Sequence, residues 1–525
     1  MSSNGSSEKS KAITRRGFLK MASVAGITGA TMATSGCLIQ DRTIGEDGWL
    51  PRQYEGVWNM PVKARGRIAV DPNNPSLARN DRLCILCGQC IEVCYETQTV
   101  HGYFEIPPKG DFACIHCGQC SNWCPTMSLY ERDHISPVRA ALNDPNKFVF
   151  AQTAPGTRIG LGEEFGQPAG TWVQGQQVAA LKTLGFDRIF NSLFSADLTI
   201  MEEGTEFIKR VRGELADNTL PMITSCCPGW IKFCEYFFPD LIPNLSTCKS
   251  PQGMLGAVAK THYAEANGID VERMVSVSVM PCASKKWEMS RDELNAVDAS
   301  EYWGIEGLKD IDYVLTTREL GRFLREERIN LNNLPEAHYD NFMGEGSGAG
   351  LIFANSGGVM QAAIRSVYFL LTGQPCPPGA FQMRNIYANL EGIKEASVAV
   401  PGVGNVNVAV VQGLRNTRMV MEAVQRGEAP YHFIEIMACP GGCISGGGQP
   451  RTAVPPSDSV RMMRTETIYA HDAVMDLRES HENSEVLALY ENFLGYPMSE
   501  LAYKLLHTKY IPRDHLVNTS SRHRG

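Results

Sequence analysis

Excess positive charge is what this chain most plainly lacks. Its 525 residues carry 49 Lys and Arg against 57 Asp and Glu, a net charge of −8. Phosphate recognition needs a basic face, so nucleic acid is excluded as a partner. Long apolar runs are missing too. The nearest approach, from Met21 to Ala33, is broken by Gly and Thr and is too weak for a membrane span of about 20 residues. No internal repeat shows beyond two runs of cysteine. Disorder is excluded by composition, with 43% apolar and 20% charged residues, and a chain of this length is expected to divide into roughly two to four domains.

Cysteine is what the chain has in plenty. Seventeen would suffice for a disulfide framework, but their spacing argues otherwise. Eight fall into two runs of C-x2-C-x2-C-x3-C: Cys84, Cys87, Cys90 and Cys94, then Cys114, Cys117, Cys120 and Cys124 with Pro125 following. No disulfide scaffold requires that repeat, and iron–sulfur ligation does. A zinc site would not need two matching runs. In bacterial two-cluster modules the fourth cysteine of each run ligates the other cluster. One 4Fe-4S cube is therefore expected on Cys84, Cys87, Cys90 and Cys124, and another on Cys114, Cys117, Cys120 and Cys94. A hairpin is expected between the runs at Tyr103 to Ile106.

Near the N-terminus, Thr14-Arg15-Arg16-Gly17-Phe18-Leu19-Lys20 is a twin-arginine pattern. That route carries folded proteins, which suits a protein loaded with clusters before export, so a periplasmic or otherwise extracytoplasmic place is expected. Thr34-Ser35-Gly36-Cys37 resembles a weak lipobox and offers Cys37 as a lipid-anchor site. Residues 1–40 thus read as a signal region. Residues 41–75 read as an extended arm with aromatic anchors at Trp49, Tyr54 and Trp58, and 76–140 as the two-cluster ferredoxin-like domain.

Residues 141–455 alternate short β-branched runs with helical patterns. Strands are expected at Phe148–Ala151, Val275–Val279 and Val406–Val411, and a helix from Gln174 to Leu184 ending at Gly185. This is a mixed α/β layout, with ligand loops at strand ends. From 456 to 512 the pattern is helical: Glu485 to Leu494, stopped by Gly495, then Glu500 to Leu506 capped by Ser499. Residues 513–525 read as a polar, disordered tail.

Four further cysteines stand beside or near Pro and Gly, where a bent backbone can present thiolates. They lie in Thr224-Ser225-Cys226-Cys227-Pro228-Gly229-Trp230, in Met280-Pro281-Cys282-Ala283-Ser284-Lys285, and in Cys439-Pro440-Gly441-Gly442-Cys443. The count, Cys227, Cys282, Cys439 and Cys443, is what one cube needs. Cys226 and Cys227 cannot easily face the same metal, and residue type alone leaves open which of the two merely packs. Together the three segments resemble the FeFe-hydrogenase family. Residues 456–512, with Ser480-His481-Glu482-Asn483 and Leu506-His507-Thr508, resemble its small subunit fused to the catalytic domain.

The resemblance implies an H-cluster: a 4Fe-4S cube joined through a thiolate to a di-iron unit with carbonyl, cyanide and dithiolate ligands. It gives Cys227, Cys282 and Cys439 as terminal ligands and Cys443 as the bridge. Cys226 is implied as a proton-relay thiol, with Glu203, Ser246 and Glu206 as the rest of that path. On residue type alone, Glu203 and Glu206 share a helical face, and two such carboxylates most often read as a solvated surface pair. Lys285 is implied to contact a cyanide, as a buried ammonium needs an anionic partner, whereas Lys286 reads as a surface lysine. Glu288 is implied to hold that loop. Ala154, Pro155, Ser250, Pro251, Gln252, Met280, Pro281, Phe353 and Met437 match the pocket. The chain departs from the family at Phe353-Ala354, where Phe-Gly is common, at Gln361, where Glu is common, and at Gly156, where Ala or Ser is usual. Cys234, Cys248 and Cys376 read as structural thiols.

The activity implied is reversible hydrogen oxidation and proton reduction, with export favouring uptake. Electrons are expected to cross the two ferredoxin-type clusters to a c-type cytochrome, a ferredoxin or a membrane-bound redox subunit, and separate maturation proteins must build the di-iron unit. An iron–sulfur assembly factor would lack the relay cysteine and lysine. A hydrogen sensor would add a signalling domain. A plain ferredoxin would leave most of the chain unexplained.

Overall fold

Two sheets form the frame of the catalytic part, and both send the C-terminal ends of their parallel strands toward one place. In the computed structural model the described residues are 65–103, 113–215, 219–294, 302–377, 384–387, 390–400, 403–452, 454 and 456–517. The twin-arginine pattern, Cys37, the aromatic anchors of the arm and the hairpin residues after Tyr103 lie outside them.

The first sheet is parallel, in the order Arg188–Asn191, Phe148–Thr153, Met274–Met280, Tyr313–Thr316. Val275, Val277 and Val279 are all buried, as a strand covered on both faces requires. The second sheet runs Met222–Ile223, Phe433–Met437, Gly404–Gln412, Leu390–Val400, Arg384–Tyr387. Its first three strands are parallel and its last two pair antiparallel. The three expected strands are present, each slightly longer than its β-branched run. The helix Gln174–Leu184 has the expected bounds, with Gly185 left-handed at its end. The helix Ser192–Arg212, buried along most of its length, packs against Pro251–Val258 and Gly358–Thr372.

The ferredoxin-like part is small. Leu77–Arg79 pairs antiparallel with Leu129–Glu131, and each cysteine run carries one four-residue helix, Gln89–Glu92 and Gln119–Asn122. Both helices follow a left-handed glycine, Gly88 at φ 81° and Gly118 at φ 78°. A Cβ on Gly118 would come within 2.8 Å of the Ala283 Cβ and 3.1 Å of the Gly447 Cα, so this turn is pressed against two loops of the catalytic domain.

The C-terminal segment wraps the core. Ser484–Leu489 continues as a wider turn, Tyr490–Leu494, and Ser499 accepts the Ala502 N–H to cap Glu500–Leu506. Val486, Leu489, Leu494, Leu505 and Leu506 join the same apolar cluster as Phe194 and Leu198. The expected disordered tail begins too early. Arg513 pairs with Glu235 at 2.9 Å and Glu293 at 2.9 Å, and Val517 is buried, so the chain stays packed to residue 517. No helix among the described residues is long and apolar enough to cross a membrane.

Candidate active site

Three strand ends deliver the cysteines. Met222–Ile223 runs into Cys226 and Cys227, Met274–Met280 into Cys282, and Phe433–Met437 into Cys439 and Cys443. All five line one internal cavity, and Ala154, Pro155, Pro251, Gln252, Met280, Pro281, Phe353 and Met437 complete its mostly apolar wall. The loops fit tightly: a Cβ on Gly446 would stand 2.3 Å from the Pro281 carbonyl oxygen.

Lys285 is the cation in this wall. Its Nζ donates to Glu288 Oε2 at 2.8 Å and to the Cys226 carbonyl at 3.2 Å. Burial opposes its charge, but Glu288 outweighs burial and holds the ammonium above its ordinary pKa. The same Glu288 oxygen accepts from Ser250 Oγ and Gln252 Nε2, each at 3.0 Å. Ser250 and Glu288 therefore stand behind the wall and brace it.

A buried polar line leaves the cavity from Cys226. Burial and the neighbouring Glu203 push the Cys226 thiol far up. Burial raises Glu203 to about 8, with the neighbouring Ser246 opposing the rise. Ser246 Oγ donates to Glu206 Oε2 at 3.1 Å, and Arg210 closes the line with an ion pair to Glu206 at 2.6 Å. Glu203 and Glu206 do share a helical face, and that face is buried rather than solvated.

The structure brings the cysteine runs together in two groups. Cys84, Cys87, Cys90 and Cys124 line one small cavity. Cys94 lies near enough to Cys114 and Cys117 for their thiolates to repel, as does Cys120. Cys117 likewise faces Cys439, and Gln119 Nε2 donates to Cys439 Sγ at 3.1 Å.

One reading changes. Lys286 is buried, not on the surface: its Nζ pairs with Glu319 at 2.9 Å and donates to the Arg132 carbonyl at 2.8 Å. Cys248 is buried, as a structural thiol would be, with Glu206 Oε2 and His507 Nδ1 each 3.9 Å from its sulfur. Nothing local marked Gln119 or the Cys248 contacts, and His507, though it stands in a family motif, gave no sign of its partners far along the chain.

Residues 147–447 match the family described as iron only hydrogenase large subunit, C-terminal domain, and residues 458–513 match iron hydrogenase small subunit. The chain belongs to the FeFe-hydrogenases. It is 43% identical over 460 residues to the NADP-reducing hydrogenase subunit HndD of Solidesulfovibrio fructosivorans, covering 84% of this chain and 75% of that one. It is 42% identical over 405 residues to the periplasmic Fe hydrogenase large subunit of Nitratidesulfovibrio vulgaris, covering 76% and 92%. A solved FeFe-hydrogenase from Chlamydomonas reinhardtii, in an apo form, superposes with a TM-score of 0.64 at 41% identity, covering 73% of this chain and 99% of that one. Cytosolic assembly factors are more distant, at 30% for one from Danio rerio over 69% of this chain and 86% of its own.

Membership implies an H-cluster and iron–sulfur clusters, and the donor set of this hydrogenase fits them. No described cysteine is in a disulfide. Cys227, Cys282, Cys439 and Cys443 are raised by burial and, in most of them, by one another, Cys282 to about 12. Four such thiolates in one dry cavity become tenable only around a cationic centre. The departures lie outside that donor set. Gln361 donates to Tyr469 Oη at 3.0 Å. Tyr469 in turn lies near Glu435, which burial lifts to about 7. A Cβ on Gly156 would meet Pro281 Cγ at 3.2 Å, so the glycine relaxes one edge of the wall.

Proposed function

We propose that this FeFe-hydrogenase works outside the cytoplasm, chiefly in hydrogen uptake, with Cys227, Cys282 and Cys439 as terminal ligands of the H-cluster cube and Cys443 as its bridge to the di-iron unit. When bound, that cofactor supplies reversible heterolytic cleavage of hydrogen. The protein's own residues bind it, keep water out and move the proton.

Lys285, held by Glu288 and the Cys226 carbonyl, offers a fixed positive charge to an anionic ligand of the cofactor. Cys226 is the one cavity thiol not needed as a ligand, and that leftover thiol beside Glu203 carries the reading. Glu203 titrates near 8, so it can hold and release a proton at neutral pH. Ser246 passes it to Glu206, whose charge Arg210 balances.

Electrons take the opposite side. Cys94, Cys114, Cys117 and Cys120 would hold one further cube beside Cys439, and Cys84, Cys87, Cys90 and Cys124 a second, nearer the surface. The twin-arginine pattern and the likeness to a periplasmic relative support export, with a c-type cytochrome, ferredoxin or membrane-bound subunit as acceptor. The likeness to an NADP-reducing subunit supports a larger redox assembly instead.

The test is hydrogen-dependent dye reduction by the matured protein. Cys226→Ala and Glu203→Gln are each expected to lower turnover by about 10²-fold or more while infrared bands of iron-bound carbonyl and cyanide persist. Full activity in both variants would overturn the proton route.

A further inference from the structure

Beyond Ser246, the Glu206 carboxylate meets a second buried group that this route does not use. Cys248 Sγ lies 3.9 Å from Glu206 Oε2 and 3.9 Å from His507 Nδ1. Thr247 Oγ1 lies 2.7 Å from the same ring nitrogen. Across the ring, His507 Nε2 is 3.0 Å from Glu202 Oε2. Glu202 also accepts the Tyr490 hydroxyl at 2.5 Å and the Met498 N–H at 2.7 Å. Glu202 and Cys248 are 0% exposed, Glu206 1% and His507 4%. His507, Tyr490 and Met498 belong to the C-terminal segment, whereas Glu202, Glu206 and Cys248 belong to the catalytic domain.

The arrangement is that of a carboxylate, an imidazole and a thiol in line. A carboxylate beside Nε2 fixes the hydrogen there and orients the ring. Nδ1 is then left as an acceptor, shared by the Thr247 hydroxyl at 2.7 Å and the Cys248 thiol at 3.9 Å, and through that thiol it reaches Glu206. The same logic orients a general base in hydrolytic triads, but no substrate reaches this buried site.

We infer that Cys248 and His507, positioned by Glu202, form a proton-holding side branch of Glu206, built jointly by the catalytic domain and the C-terminal segment. This rests on Glu203, Ser246 and Glu206 being the proton route. Protonated Glu206 gives its proton to the Cys248 sulfur as the thiol passes its own to His507 Nδ1. One O–H and one S–H bond break, and one S–H and one N–H bond form. The products are a carboxylate paired with Arg210 and an imidazolium held by Glu202, and no electrons move. Oxidising hydrogen releases both of its protons into one route, and a second holding place clears the route for the proton that follows.

The groups that face His507 are few. Glu202, Cys248 and Thr247 contact the ring, Tyr503 stacks on it at 4.6 Å, and Glu206 with Arg210 stands behind Cys248. Tyr510 Oη donates to the Cys248 carbonyl at 3.2 Å, and the neighbouring Lys249 is turned to Asp310 at 2.9 Å.

The test reads the Cys248 thiol directly, in the matured full-length protein under argon. Its S–H stretch, identified by its disappearance in Cys248→Ser, is expected to shift in a single step as pH is varied, and His507→Gln is expected to abolish that step. An S–H band that ignores pH, or a step that survives in His507→Gln, overturns the branch. In hydrogen oxidation, His507→Gln is expected to lose roughly tenfold and to change the shape of the pH profile, with Cys248→Ser retaining most of the rate through its hydroxyl. A loss equal at every pH would be a packing effect and would also overturn it. If Glu203→Gln stayed fully active, the route itself would fail and the branch with it. A still S–H band beside an inactive Glu203→Gln would reject the branch alone.

Discussion

The ferredoxin-like part and the catalytic domain hold their cysteines by opposite means. In the first, the apolar cluster is Leu77, Val93, Trp123 and Leu129 with Ala283 from the neighbouring domain, and three of its members are the proposed ligands Cys90, Cys120 and Cys124 themselves. Its strands are three residues long and its two cysteine-run α-helices four. In the second, the cysteines hang from ends of strands most of whose apolar residues belong to large apolar clusters. On the proposed ligation, the difference teaches that metal would be part of the fold in one region and a guest of the fold in the other. The first should form its cubes as it folds. The second should present a standing cavity, which suits a cofactor finished elsewhere and inserted late.

Removing iron should separate the two most sharply. Metal-linked folding reaches about 10 kcal/mol in small metallo-domains. Chelation under reducing conditions is therefore expected to expose residues 77–131 to protease and to fast amide exchange. The catalytic domain should keep its protection. Simultaneous loss in both regions would erase the contrast.

The catalytic frame itself has weak points, and Lys286 is one. Replacing it by Met strands Glu319 in the interior without its cation, at a cost of about 3–5 kcal/mol. A thermal midpoint close to that of the parent would contradict the buried pair.

Glu203 sharpens the comparison from the cavity side. It titrates near 8 in the fold against 4.5 ordinarily. The folded chain then keeps a proton that the unfolded chain sheds, so its contribution is full below pH 4.5 and is lost as pH rises toward 8. Glu203→Gln should gain stability on the parent across that window, by a few kcal/mol at most. Denaturant unfolding at several pH values checks this, and a constant gap would count against a neutral buried acid.

The smallest effect belongs to the surface of the ferredoxin-like part. Asp81 is held low by a hydrogen bond and charge from Arg79, with Arg67 alongside, yet it is exposed, and solvent screens such a pair until little stability depends on it. Asp81→Asn should leave both the melting temperature and the cluster signals nearly unchanged, and a large loss of clusters would show that the pair matters to the fold.

Much of this was legible in the sequence because the signals are local. The cysteine runs, the helix closed by Gly185 and the Ser499 cap each declare themselves within a few residues. The five cavity cysteines also stand in short motifs, and the structure brings them together. What stayed hidden depends on partners far along the chain. Lys286 looked like a surface lysine because Glu319 lies 33 residues away. Gln119 meets Cys439 across 320 positions, and Cys248 meets His507 across 259. A polar C-terminal stretch likewise reads as loose until Glu235 and Glu293 are found waiting for Arg513.

The most direct measurement is the infrared spectrum of the matured protein under argon and then under hydrogen. Bands of iron-bound carbonyl and cyanide that move when hydrogen is admitted, and that vanish in Cys443→Ala while signals of the two ferredoxin-type cubes remain, are the predicted result. Matured protein that showed cubes alone, or bands that survived the loss of Cys443, would contradict the cavity as the seat of hydrogen chemistry.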